Sequence, residues 1–247
     1  KVIKTLNKNQ IKLNITAVYS SKQTKQKGTF SIQFIKKSLK TILTNPQSRW
    51  IAIYAFCAWS PIVIFTEQWS IPFLHQHFHL KNPADYIGFV WLGLAAISPV
   101  WGYLSNKLNR RCSFLQISSS LGLVAVLTLL FAPITNQAII AICLLGIGIA
   151  AAGQILTFAL VRDINPTSIS STAIAFNNFA VVAGGLILHP IVGFVLGYHN
   201  HSPLHRSAKH YTVAFLFIPI CYIIGLLISR YKIKETYCRH IEKPNPE

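Results

Sequence analysis

An all-α integral membrane protein, built as a six-transmembrane-helix bundle, is the fold class this 247-residue sequence predicts. Three observations carry it. Six apolar stretches, near 50–74, 86–106, 112–132, 136–160, 172–197 and 211–229, each run for about 19–26 residues. At 1.5 Å rise per residue that length crosses a ~30 Å hydrocarbon core. Charged residues are only 12% of the chain, about half the usual soluble share, and lie almost entirely in the gaps between the stretches. Mean hydropathy is +0.44, and a soluble core helix does not stay apolar on every face for such lengths.

The elements follow in order. Residues 1–28 are polar and rich in Lys, Asn, Gln and Ser, the composition of a flexible segment. Beyond Phe30, residues Ile32, Ile35, Leu39 and Ile42 recur at helical spacing with Lys36, Lys37 and Lys40 between them. That pattern predicts a basic amphipathic helix over about 30–44, lying on the cytoplasmic leaflet. Asn45-Pro46 breaks it before the first span. The organisation expected is a basic cytoplasmic segment at 1–49, a transmembrane domain at 50–230 and a cytoplasmic tail at 231–247.

Prolines 61, 99, 133, 190 and 219 fall inside or at the ends of spans, where they mark kinks. Small residues cluster in the fourth span (Gly146, Gly148, Ala150, Ala151, Ala152, Gly153) and the fifth (Ala183, Gly184, Gly185). They let backbones approach closely, either as plain packing or as a sliding contact. Trp50, Trp59, Trp69, Trp91 and Trp101 lie mostly toward helix ends, as in interfacial belts.

Charge sets the expected orientation. Residues 1–49 hold eleven Lys/Arg and no acid. With six spans both termini share one side, and that side collects 20 of the 23 basic residues, leaving Lys81, Arg206 and Lys209 on the other. The positive-inside rule then puts both termini in the cytoplasm. The net charge of +17 therefore belongs to topology and anionic lipid, with no nucleic-acid partner expected.

The remaining composition excludes other classes. Cys57, Cys112, Cys143, Cys221 and Cys238 have no metal spacing and read as small buried hydrophobes. The sequon Asn14-Ile15-Thr16 lies on the expected cytoplasmic side and is discounted. The outer loop 199–210 carries His199, His201, His205 and His210 in no standard metal spacing, so a solvated loop is expected. No span or loop offers a Ser/His/Asp set, a carboxylate pair or a phosphate-cradling loop, so no enzyme, metal or cofactor is expected. Residues 1–49 do not resemble a signal peptide. The sequence holds no Met, even at position 1, which raises the expectation of a processed, trimmed or fragmentary chain.

The loop after the second span reads Gly102-Tyr103-Leu104-Ser105-Asn106-Lys107-Leu108-Asn109-Arg110-Arg111. It resembles the G-x-L-x-D-R-x-G-R-R signature of the major facilitator superfamily. Gly102, Leu104, Lys107, Arg110 and Arg111 fit, while Asn106 replaces the acid and Asn109 the second Gly. Thr66-Glu67-Gln68-Trp69-Ser70-Ile71-Pro72-Phe73-Leu74 is similar to the run ending that family's seventh helix. Trp91 through Pro99 is similar to its eighth. Arg162-Asp163-Ile164-Asn165-Pro166, followed by Thr172 to Asn178 and Gly184-Gly185, is similar to its tenth-to-eleventh connection. The resemblance covers about residues 43–232.

What the resemblance implies is one C-terminal half of a bacterial transporter of that superfamily, as two inverted three-helix repeats in the inner membrane. A small solute would pass by alternating access between two halves, with proton coupling open. The missing N-terminal half, or a second copy, becomes the expected partner. The alternative is a non-transporting remnant or membrane scaffold. Gly102, Asn106, Lys107, Arg110 and Arg111, with Arg162 and Asp163 as a gate or interface pair, would form a cytoplasmic gate. Loss of the acid at Asn106 predicts an Arg cluster without its charge partner.

Intramembrane polar groups are costly and need a partner or a job. Glu67, the only acid inside a predicted span, lies about 25 Å along its helix if that starts at Trp50. It is either a proton or substrate carboxylate or an interfacial acid at the outer gate. Gln68, Gln154, Asn177, Asn178 and His189 complete the candidate solute or proton pathway. For each, helix-to-helix hydrogen bonding is the competing role.

Overall fold

The computed structural model describes residues 31–198 and 208–240. Expectations for residues 1–30, the outer-loop residues 199–207 and the end of the tail at 241–247 lie outside the described residues. Contacts divide the chain into Lys1–Lys37 and Ser38–Glu247. From the first unit only the residues from 31 on are described, and they open α1 (Ile32–Thr44). Ile32, Phe34, Ile35 and Leu39 of α1 are exposed, whereas Ser38 and Ile42 are buried. The apolar stripe read from the sequence thus splits, with Ile42 alone entering a core.

Among the described residues six helices are long and apolar enough to cross a membrane: α2 (Pro46–Phe78), α3 (Pro83–Lys107), α4 (Cys112–Phe131), α5 (Gln137–Ile164), α6 (Thr167–Gly197) and α7 (Lys209–Tyr231). The described residues contain helices and connections and no strand. The protein is a multi-pass membrane protein. Most helices run a few residues past the apolar stretches, and side-chain caps close the starts of α2 and α5. Asn45 Oδ1 accepts from Gln47 N at 3.0 Å with Pro46 in the first turn, and Asn136 Oδ1 accepts from Ala138 N at 2.9 Å. Pro46, Arg111, Asp163 and Tyr231 mark one end of the bundle, here the tail end; Phe78, Pro83, Phe131 and Gln137 mark the far end.

Two interruptions matter. In α2, Pro61 lacks the N–H its turn needs, and the eight residues Ile62–Trp69 then run as a π-helix. In α5, Ala152–Gln154 tighten into a 3-10 turn. Two hydrophobic cores stack along the bundle. The far-end core includes Phe65, Phe73, Ile140, Tyr211 and Phe215; the tail-end core includes Ile51, Leu115, Leu160 and Ile228.

α2 and α5 are the inner helices, each with 67% of its apolar window buried, against 11% for α3 and 28% for α6. α3 lies on α5, α6 on α2, and α4 on both α5 and α7. Glycine makes the α3–α5 crossing possible. A Cβ on Gly148 would run into the carbonyl of Val90, and one on Gly93 into the carbonyl of Leu145. Each helix therefore gives the other a glycine to lie against, which is the packing role of the small-residue run in α5.

Candidate functional site

The tail end carries a polar network that residues 232–240 tie together. Arg111, just before α4, donates through Nε to Asp163 Oδ2 at the end of α5, at 2.8 Å. Both side chains are almost fully buried, and this is the single ion pair among the described residues. Thr236 Oγ1 donates to the same carboxylate oxygen at 2.9 Å. Glu235 Oε1 accepts from Arg111 N at 2.9 Å and its Oε2 from Cys112 N at 2.8 Å. A carboxylate there satisfies free N–H groups at the start of α4 and meets the positive end of its dipole.

Other bonds fasten the same segment. The Gln47 side chain donates to Lys232 O at 2.9 Å and accepts from Lys234 N at 2.8 Å. Cys238 Sγ lies 3.4 Å from Ser105 O as donor, and Thr167 Oγ1 is 3.2 Å from His240 Nε2. Lys232 Nζ sits 5.6 Å above the Trp50 ring. The strap thus reaches the starts of α2, α4 and α6 and the ends of α3 and α5. Burial pushes the Cys238 thiol above its ordinary range, the Asp163 and Glu235 carboxylates add to the rise, and Arg111 opposes it.

Two expectations change. Asp163 pairs with Arg111 rather than with its neighbour Arg162, which is exposed. Arg111 does have a charge partner, Asp163 from α5, while Glu235 of the strap accepts from the backbone N–H groups of Arg111 and Cys112. Asn109, standing where the motif has Gly, takes a left-handed conformation with φ 51°. Asn tolerates that region best after Gly, so the substitution keeps the turn. Asn106, Lys107 and Arg110 are exposed beside it. Gly102 makes no close helix contact, since a Cβ there would meet nothing within 4 Å.

Glu235 was missed by sequence reasoning. It is the lone acid among Lys232, Lys234 and Arg239, a signal that marks an acid worth placing but names no partner for it.

The intramembrane candidates separate into two groups. Glu67 and Gln68, on the π-helical turn of α2, are exposed, as is Asn178 on α6. Gln154 and Asn177 are buried. Asn177 Nδ2 donates to Thr157 Oγ1 at 2.8 Å, and that hydroxyl donates to Gln154 O at 2.6 Å, so α5 and α6 are joined beside the 3-10 turn. Gln154 Nε2, Asn177 Oδ1 and His189 Nδ1 are buried without a hydrogen-bond partner. Nearby, Tyr54 donates to Leu115 O at 2.9 Å and accepts from Ser119 Oγ at 3.3 Å, while Trp101 Nε1 donates to Ser118 Oγ at 2.8 Å. The structure brings Gln154 and Asn177 into one belt and leaves Glu67, Gln68 and Asn178 on open faces.

α3 and α6 present open apolar faces, as α4 and α7 also do. Phe89, Trp91, Leu92, Val100 and Tyr103 of α3 are exposed, and so are Phe179, Val182, Leu186, Ile187, Ile191 and Phe194 of α6. Gly88, Gly102, Gly193 and Gly197 are the glycines whose added Cβ would meet nothing within 4 Å, and all four lie on these two helices.

Comparison with known proteins agrees with this architecture. The family model described as Major Facilitator Superfamily matches residues 15–189 and 86–238. The chain is similar in structure to the inward open conformation of the xylose transporter XylE from E. coli, with a TM-score of 0.53 and 17% identity. That match covers 80% of this chain and 48% of that one, so the chain spans about half the length of the transporter. No curated protein sequence matched it significantly.

Proposed function

This chain belongs to the Major Facilitator Superfamily, and from that premise we propose that it serves as the C-terminal six-helix half of a secondary transporter for a small solute. One observation carries the reading. α3 and α6 present long apolar faces whose glycines have open space, next to a bundle interior in which glycines are filled to contact. Apolar residues alone would suit lipid, but glycine offers lipid nothing. It suits a second helix lying close. The expected occupant is a second six-helix body, and the solute path runs between the two.

In this reading both termini are cytoplasmic in the inner membrane, and the tail-end network is the cytoplasmic gate. Arg111, Asp163, Glu235 and Thr236 hold the helix ends together when that side is closed. Glu67, Gln68 and Asn178 face the path, while Gln154, Asn177 and His189 contribute at its wall. Gln154 Nε2, Asn177 Oδ1 and His189 Nδ1, buried without a hydrogen-bond partner, are among the atoms with hydrogen-bonding capacity still to use. Glu67 is the candidate proton carrier. Sugars are the first solutes to try, since the structural neighbour is described as a xylose transporter.

The test begins with cysteines placed at Gly102 and Gly193 for cross-linking in native membranes. The expected product joins this six-helix unit to a second six-span body, whether upstream sequence of the same polypeptide, another polypeptide or a second copy. A chain that stays monomeric and moves no solute in proteoliposomes would overturn the reading and leave a membrane scaffold. Given a working pair, Glu67→Gln should abolish proton-driven uptake while sparing exchange; unchanged coupling removes Glu67 from the proton path.

A further inference from the structure

A groove of about 760 Å³ runs between α4 and α7, on a side of the bundle separate from the open faces of α3 and α6. Its lining changes character along its length. Ser113 and Gln116, in the first turns of α4, meet Arg230 in the last turn of α7 at the tail end. Leu226 and Leu227 lie one turn in from Arg230, and further in the walls are Leu121 and Val124, with Ser120 the one polar residue at that depth. From Cys112 to Val124 the helix rises about 18 Å, close to half of a ~30 Å hydrocarbon core. The groove is therefore one leaflet deep, polar where that leaflet's headgroups lie and apolar where its chains lie.

We propose that this groove is a seat for one anionic phospholipid. The Gln116 amide donates to Ser229 O at 3.2 Å and fixes α4 to α7 across the groove floor. The seat is thus braced rather than a gap that closes. Arg230 is exposed, makes no ion pair among the described residues, and stands with its guanidinium carbon 6.0 Å from the Tyr231 ring centre. The Ser113 hydroxyl makes no hydrogen bond among the described residues either, so a hydroxyl and a cation share the headgroup end.

A guanidinium fork matches two oxygens of a phosphodiester. No acid lines the groove, so nothing there recognises the ammonium of a zwitterionic lipid, and a net negative headgroup is selected. Leu121, Val124 and Leu227 are exposed and supply the wall for an acyl chain. A basic pocket between membrane helices at the cytoplasmic side is the usual form of such a seat. The proposal uses the orientation given above only to say which leaflet supplies the lipid, and the measurement below does not depend on it.

The full chain, purified in detergent, is titrated with phosphatidylglycerol and with phosphatidylcholine of identical acyl chains, and retained lipid is counted by native mass spectrometry. The expected result is one phosphatidylglycerol held about fivefold more tightly than phosphatidylcholine, as one arginine near the headgroups contributes. Arg230→Gln should bring the two lipids level, Leu121→Trp should weaken both by filling the groove, and Arg239→Gln should change neither. Equal retention of the two lipids by the unaltered chain, or a preference that survives Arg230→Gln, overturns the proposal. Lipid-free melting of each variant in detergent separates loss of the seat from loss of fold. Should Arg230→Gln unfold, Leu121→Trp decides: undiminished phosphatidylglycerol retention then rejects the groove.

Discussion

The two ends of the bundle are closed by different physics. At the far end, aromatic rings pack edge to face: Phe65 to Phe215 at 5.4 Å, Phe73 to Phe215 at 5.3 Å, and Phe73 to Phe78 at 5.9 Å between centroids. Tyr211 leans on both Phe73 and Phe215. At the tail end, a buried ion pair, two carboxylates and a strap of backbone and side-chain hydrogen bonds join five helices. Apolar contacts have no substitute in water, so opening the far end costs their full burial. Each polar contact at the tail end can be exchanged for one with water, so opening there costs far less than breaking the same bonds in a dry core. If the tail-end network is the gate proposed above, the difference makes the tail end the easier one to open.

The largest effect that would sharpen this contrast is Asp163→Ala. It leaves Arg111 buried and unpaired, and the expected loss is about 3–5 kcal/mol in detergent melting. Modification of Cys238 by a maleimide, followed by peptide mass spectrometry, should accelerate with it as the strap lifts. If melting falls while Cys238 stays slow, the strap is not coupled to the ion pair.

Phe73→Ala should cost about 3 kcal/mol through lost packing at the far end. Cys238 reactivity should be unchanged. An accelerated Cys238 in this variant would break the comparison, because the ends would then open together.

Glu235→Gln is the milder cut. The amide keeps one acceptor for the start of α4 but removes the charge that meets its dipole, for about 1 kcal/mol. The smallest effect concerns the pH at which Cys238 reacts. Burial, aided by Asp163 and Glu235, raises its thiol pKa, so at a given pH less reactive thiolate is present than on an ordinary exposed cysteine. Its rate–pH curve should lie at higher pH than that of a free thiol. Glu235→Gln should move the curve back down, since one negative neighbour is gone. A curve that matches a free thiol would show that the strap does not hold Cys238 against the helix ends.

Much of the fold was legible in the residues. Six apolar stretches and their charged gaps give six spans, because hydrocarbon tolerates no other backbone solution for such segments. Asn45-Pro46 was read as a break and is a helix cap. Gly102 to Arg111 was read as a family loop, and the family is shown. The π-helical turn after Pro61 had only a proline to announce it, and proline signals a kink without saying which register follows. The Arg162–Asp163 pair was suggested by adjacency, but successive helix residues point about 100° apart, so Asp163 faces Arg111 while Arg162 faces out.

The sequence by itself determined that this is a membrane protein, how many times it crosses, and which loop bears the family signature. Those properties are local: they depend on length, hydropathy and the conformations that single residues allow. Tertiary structure alone decided that Asp163 pairs with Arg111, that Glu235 meets the start of α4, that Gln154 and Asn177 are buried while Asn178 is exposed, and that the strap ties the tail end together. These depend on which faces meet across 52 to 124 residues of chain. No periodicity encodes that distance. The glycines show the division most clearly, since Gly93 and Gly102 are nine residues apart on one helix, yet one is jammed against a carbonyl and the other looks onto open space.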